Sequence, residues 1–78
     1  MKAISYKQIL SDKSFPDDMF QIRVWIDSMT ADLVYYKSIL VTWDLRKEHK
    51  AEDPTLYDTL MRLVAEVNSR YGRNIKVS

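Results

Sequence analysis

Seventy-eight residues with twelve basic and eleven acidic side chains, a net charge of +1, and no cysteine describe one small domain. It has no disulfide, no thiolate ligand and no global field that would hold nucleic acid non-specifically. The apolar share of 46% and the charged share of 29% suit a folded, soluble chain, too apolar for disorder and too charged for a bilayer.

One glycine and two prolines supply few of the usual turn residues, which favours few and long elements. The first residues lack the apolar run of a signal peptide, and nothing approaches the ~18 uncharged apolar residues of a membrane span. The expectation is a cytoplasmic protein, unanchored, forming a single domain over 1–78 with no internal repeat.

In chain order, residues 1–4 read either as a lead-in or as the start of a strand. Ser5 and Gln8 then have capping-box spacing ahead of Ile9 and Leu10, which predicts a short helix over Tyr6–Ser11. Pro16 followed by Asp17 and Asp18 reads as the start of a second helix, because proline is tolerated in a first turn and acids there complement the macrodipole.

From that start, Met19, Ile22, Ile26, Met29, Leu33, Tyr36, Leu40 and Trp43 follow at steps of 3, 4, 3, 4, 3, 4 and 3. On a helix this is a heptad seam roughly 36 Å long at 1.5 Å per residue. The cations Arg46, Lys47 and Lys50 suit a last helical turn. The expectation is therefore a long central helix over about 16–50, with a kink or break near 28–30 where Asp27, Ser28 and Thr30 prefer caps. The competing reading is a β-hairpin over 20–43, because Phe20, Ile22, Val24 and Ile26 alternate with Gln21, Arg23 and Trp25, and residues 34–43 are rich in β-branched and aromatic side chains. The absent turn glycine counts against the hairpin.

The last element has Asp53 in N-cap position, Pro54 at the first helical position and Gly72 as a left-handed stop. Leu56, Leu60, Leu63, Val64, Val67 and Tyr71 share one face, opposite Asp58, Arg62, Glu66 and Ser69. A short link forces this helix back antiparallel to the central one. Residues 73–78 alternate weakly and read as a strand or a flexible tail. The fold expected is all-α, a three-helix bundle with a coiled-coil seam. The alternative is an α+β fold with the 20–43 hairpin packed on the 54–71 helix.

Candidate chemistry is sparse. The single histidine, His49, lies in a run of charges at a helix end, where a solvated side chain is the ordinary reading. No metal-ligand spacing and no glycine-rich phosphate loop occurs, so no catalytic residue, metal, cofactor or small-molecule substrate is expected. The acids at 17–18 and 52–53 both flank proline-marked helix starts, which explains them structurally.

A helix apolar on more than one side leaves surface for a protein partner or for a second copy in a homodimer with paired seams. Its anchors are Phe20, Val24, Trp25 and Tyr35, with Asp27 and Asp32 restricting the choice. The functional expectation is a non-enzymatic regulator, adaptor or inhibitor, including inhibitors of the kind phages and plasmids use. The alternative is a small nucleic-acid-binding regulator. Residues 46–78 carry seven cations and five anions against five and six in residues 1–45, and Arg70, Tyr71, Arg73 and Lys76 form a basic, aromatic cluster.

Overall fold

The structure, a computed structural model, describes residues 5–77. Its order is α1 (Tyr6–Ser11), a single 3-10 turn (Asp17–Met19), β1 (Phe20–Trp25), β2 (Thr30–Tyr35), β3 (Ser38–Asp44), α2 (Leu45–Glu48) and α3 (Leu56–Tyr71). This is an α+β fold. The expected all-α architecture, the helical bundle and the coiled coil are all overturned, and with them the dimer built on paired helical seams. The reading of residues 1–4 lies outside the described residues.

The strands form an antiparallel meander in the order β1-β2-β3. Six pairs from Phe20↔Tyr35 to Trp25↔Thr30 join the first two strands. Thr30↔Asp44 through Leu33↔Val41 join the second and third, before an irregularity at Leu33/Val34 that leaves Leu40 without a partner on β2. Parity therefore puts Phe20, Ile22, Val24, Ala31, Leu33, Val41 and Trp43 on one face of the sheet. Gln21, Arg23, Trp25, Thr30, Asp32, Val34, Ile39, Thr42 and Asp44 fall on the other.

The central helix fails because both of its supposed interior turns are chain reversals. Met29 and Tyr36 have φ of 54° and 56°, the left-handed conformation normally given to glycine or asparagine. Residues 26–29 close the first hairpin, and Tyr36 with Lys37 closes the second in two residues. The seam's eight members consequently scatter: Ile22 and Leu33 are fully buried, while Ile26 and Tyr36 stand out in solvent.

Both flanking helices follow local rules. The Ser5 hydroxyl accepts from the Lys7 N–H, and Gln8 Oε1 accepts from the Ser5 N–H at 3.2 Å, so the capping box starts α1 as its spacing predicts. In α3 the cap is Thr55, whose Oγ1 accepts from the Asp58 N–H at 3.2 Å. Asp53 is therefore not the N-cap and Pro54 is not the first helical residue. Gly72 ends α3 with φ 61° and ψ 43°, as expected of a left-handed stop.

The core sits between the inner face of the sheet and the helices. Phe20, Ile22, Ala31 and Leu33 meet Leu10 of α1, Leu45 of α2, and Leu60, Leu63 and Val64 of α3. Residues 73–77 are docked. Arg73 and Ile75 are buried, the Ile22 N–H donates to the Lys76 carbonyl at 3.2 Å, and Ile22 bridges Val77 in parallel. The tail thus lies along the outer side of β1.

Candidate partner-binding face

Every helix turns its buried residues to one side of the sheet, so the other side forms a three-by-three face, in which Val34 and Asp32 of the central strand are themselves buried by their neighbours. Its rows, read across the strands, are Gln21-Val34-Ile39, Arg23-Asp32-Thr42 and Trp25-Thr30-Asp44. Trp25 is 53% exposed and Ile39 is 62% exposed. Ile26, just beyond Trp25 in the first hairpin loop, is also exposed. An antiparallel sheet with one packed face normally turns a polar face to water, and here that face carries an indole at one corner and an isoleucine at the opposite one.

The indole is held in place. Trp25 Nε1–H donates to Asp32 Oδ2 at 2.8 Å, and Thr42 Oγ1 donates to Asp32 Oδ1 at 2.7 Å. Asp32 is only 6% exposed, so one carboxylate at the middle of the central strand fastens a side chain from each neighbouring strand. Arg23 is its directly paired residue on β1, but the donors are the neutral indole and hydroxyl. The hairpin beside the indole is also fixed, with Ser28 and Thr30 hydroxyls 2.8 Å apart and Arg46 Nη2 donating to the Ser28 carbonyl at 3.2 Å.

Of the anchors expected from the sequence, Trp25 and Asp32 come together here and Asp27 lies exposed in the adjoining loop. Phe20 is buried, and Val24 and Tyr35 pack against the core from the other face. Tyr35 makes edge contacts with Phe15 and Phe20 at 5.1 and 4.8 Å between ring centres. Ile39 and Thr42 complete the face and were not singled out from the sequence. Their signal was the alternation of β3, hidden by the bulge at Leu40.

The basic cluster is divided. Arg70 and Tyr71 line a groove of about 550 Å3 along α3, with Tyr6, Trp43, Glu48 and Glu66 also on its walls. Lys76 lines a separate depression of about 420 Å3 beside Asp17 and Asp18. Arg73 lies inside the protein with its side chain 1% exposed. It donates to the carbonyls of Ile9, Leu10, Asp12 and Phe15 and to Asp17. That hydrogen bond from Arg73 holds the Asp17 carboxyl below its ordinary range.

A second polar constellation links α2 to α3. Asp53 accepts from Arg62, Thr59 and the Lys50 N–H, and Arg62 also reaches the Glu48 carbonyl at 2.7 Å. The Arg62 bonds hold the Asp53 carboxyl well below the usual carboxylate range, and Asp53 in turn raises Arg62. His49 Nδ1 lies 2.9 Å from Thr59 Oγ1. Histidine, hydroxyl and carboxylate in sequence suggest a nucleophile relay, but Thr59 is 0% exposed and no substrate can reach its oxygen. Among the described residues no three His, Cys, Asp or Glu side chains converge as metal ligands, and no helix is long and apolar enough to cross a membrane.

The fold and this face define a small two-layer α+β domain with one open side to its sheet. Comparison with family models, curated proteins and solved structures finds no match.

Proposed function

We propose that the chain is a non-enzymatic protein-binding module, acting as a regulator, adaptor or inhibitor by laying the open face of its sheet against a partner protein. The observation that carries the reading is Trp25, half exposed yet fixed by its hydrogen bond to the buried Asp32. Tryptophan is the commonest energetic anchor of protein interfaces, and an anchor already held in one orientation loses little entropy on binding. Ile26 and Ile39 extend the apolar area, while Arg23, Thr30 and Asp44 supply polar groups that select among partners. A cytoplasmic location belongs to the same reading.

The test begins with capture by the tagged chain in the cells that make it and identification of what is bound. Affinity is then measured with that partner purified. Trp25→Ala is expected to weaken binding roughly tenfold or more with an unchanged circular dichroism spectrum. Full-strength binding by the variant, or a hydrogen-exchange footprint confined to α3, would overturn the proposal.

A further inference from the structure

The two edges of the sheet differ. Beside β1 the chain's own tail is in place, through Ile22 and residues 76–77. Beside β3 the described residues supply no strand. Among the described residues, no strand other than β2 pairs with Ser38–Asp44, and no turn or loop hydrogen bond reaches its backbone. A strand edge left in this state is a template for another strand, and proteins usually protect it with lysine, proline or an inward charge. From Ser38 to Trp43 this strand reads Ser-Ile-Leu-Val-Thr-Trp, without a charge or a proline. The bulge at Leu40 guards only its first part, and the stretch from Val41 to Asp44 stays in regular register.

We propose that the occupant of this edge is a second copy of the same chain, paired antiparallel about a two-fold axis through Thr42. Two physical arguments select it. With the tail bridged to β1 at Ile22, β3 is the strand left unpaired along its whole outer side among the described residues, and two-fold pairing there closes at two chains. The regular stretch is also self-complementary. In a two-fold antiparallel pair the faces match only when the axis passes through a residue. With Thr42 there, Val41 lies opposite Trp43 of the partner subunit and Trp43 opposite the partner's Val41. A β-branched residue against an aromatic one, twice, and threonine against threonine at the centre are favourable cross-strand pairs. The two Asp44 carboxylates fall away from one another, each beyond the last of these pairs. The dimer has a six-stranded sheet with both Trp25 corners on the same side.

The protein contains no cysteine, so a single introduced one reports the geometry cleanly. Directly paired residues have Cα atoms about 4.5–5.5 Å apart, within disulfide range. The full chain is expected to sediment as a dimer at high concentration, and Thr42→Cys is expected to form a disulfide-linked dimer on mild oxidation. Tyr57→Cys, exposed on α3, stays largely uncrosslinked. Thr42→Lys places like charges across the axis and halves the sedimenting mass, while Thr42→Val keeps the dimer. A wild-type chain that is monomeric up to millimolar concentration overturns the proposal. So does equal crosslinking through Tyr57→Cys, or a dimer that persists in Thr42→Lys.

Discussion

The Arg73 guanidinium lies 4.6 Å from the centre of the Phe20 ring, at a point where β1, the end of α1, the loop before β1 and the exit of α3 converge. Its donors satisfy four backbone carbonyls and Asp17, which ties the two ends of the domain together, alongside Lys13, whose ammonium donates to the Tyr71 and Gly72 carbonyls. Arg73→Met keeps much of the apolar stem but leaves those oxygens without donors. The expected loss is about 3–5 kcal/mol, a large share of a small domain's total stability. Urea unfolding followed by fluorescence measures it, and an unchanged midpoint would remove Arg73 from this role. Arg73→Lys is expected to recover only part of the loss, because one ammonium cannot reproduce the planar fork.

The Trp25–Asp32 pair makes a second prediction. A carboxylate accepts from both the indole and Thr42, whereas the neutral amide of Asp32→Asn accepts from the indole through its oxygen and turns its NH2 to the Thr42 hydroxyl, which then accepts. Both contacts survive only as neutral hydrogen bonds, and the loss of the charge costs about 1 kcal/mol in stability. The indole N–H resonance of Trp25 should shift, and its exchange with solvent should quicken. If both stay as in the parent protein, the indole is not held by this carboxylate.

The sequence carries the ends of the fold openly and its middle poorly, for a reason visible in Met29 and Tyr36. Capping spacing at Ser5 and Gln8, the apolar stripe of α3 and the stop at Gly72 are local signals, and each gives the observed element. The sheet depends on two reversals, and at both the chain uses a residue with a side chain where glycine would have signalled a turn. Without that punctuation the apolar positions run through the turns at a helical spacing. The alternation of Phe20, Ile22 and Val24 is the signal that β1 obeys, and the heptad spacing masks it. Two of the nine residues of the candidate face, Trp25 and Asp32, are named from the sequence, and on helical grounds that the sheet replaces. The assignment of Phe20, Val24 and Tyr35 to a partner followed from a helix that does not form, and only strand parity shows that they face inward. Arg73 read as a surface cation because a tail residue gives no sequence sign of the carbonyls that will surround it.

Those turns give a third prediction, with opposite signs at two positions. Tyr36 is 61% exposed with φ 56°, and a left-handed conformation costs an ordinary side chain roughly 1–2 kcal/mol. Tyr36→Asn is expected to stabilise the protein by about 1 kcal/mol, since asparagine tolerates this region better. Gly72→Ala, at φ 61°, is expected to destabilise it by about 1 kcal/mol for the same steric reason. Thermal melts of the two variants beside the parent check both, and a shift in the same direction for the pair would contradict the account.

The fourth prediction concerns pH and rests on Asp53, Asp17 and Asp12, all held below their ordinary value of 3.8 in the folded protein. Arg62 is the main cause at Asp53, Arg73 at Asp17, and the Ser14 N–H at Asp12. In the unfolded chain these carboxyls take up protons near the ordinary value, while in the folded chain they resist until the pH is lower. Between those limits the unfolded state binds more protons, so stability rises with pH across that window. The contribution is complete above about pH 5 and is lost as the pH falls through the depressed folded values. Urea midpoints measured from neutral pH downward should therefore hold steady and then fall steeply below about pH 4. Asp53→Asn should lower the midpoint at neutral pH, because Arg62 loses its principal partner. It should also make the acid limb shallower, because one of the titrating groups is gone. An acid limb as steep in Asp53→Asn as in the parent would assign the pH dependence to other carboxyls.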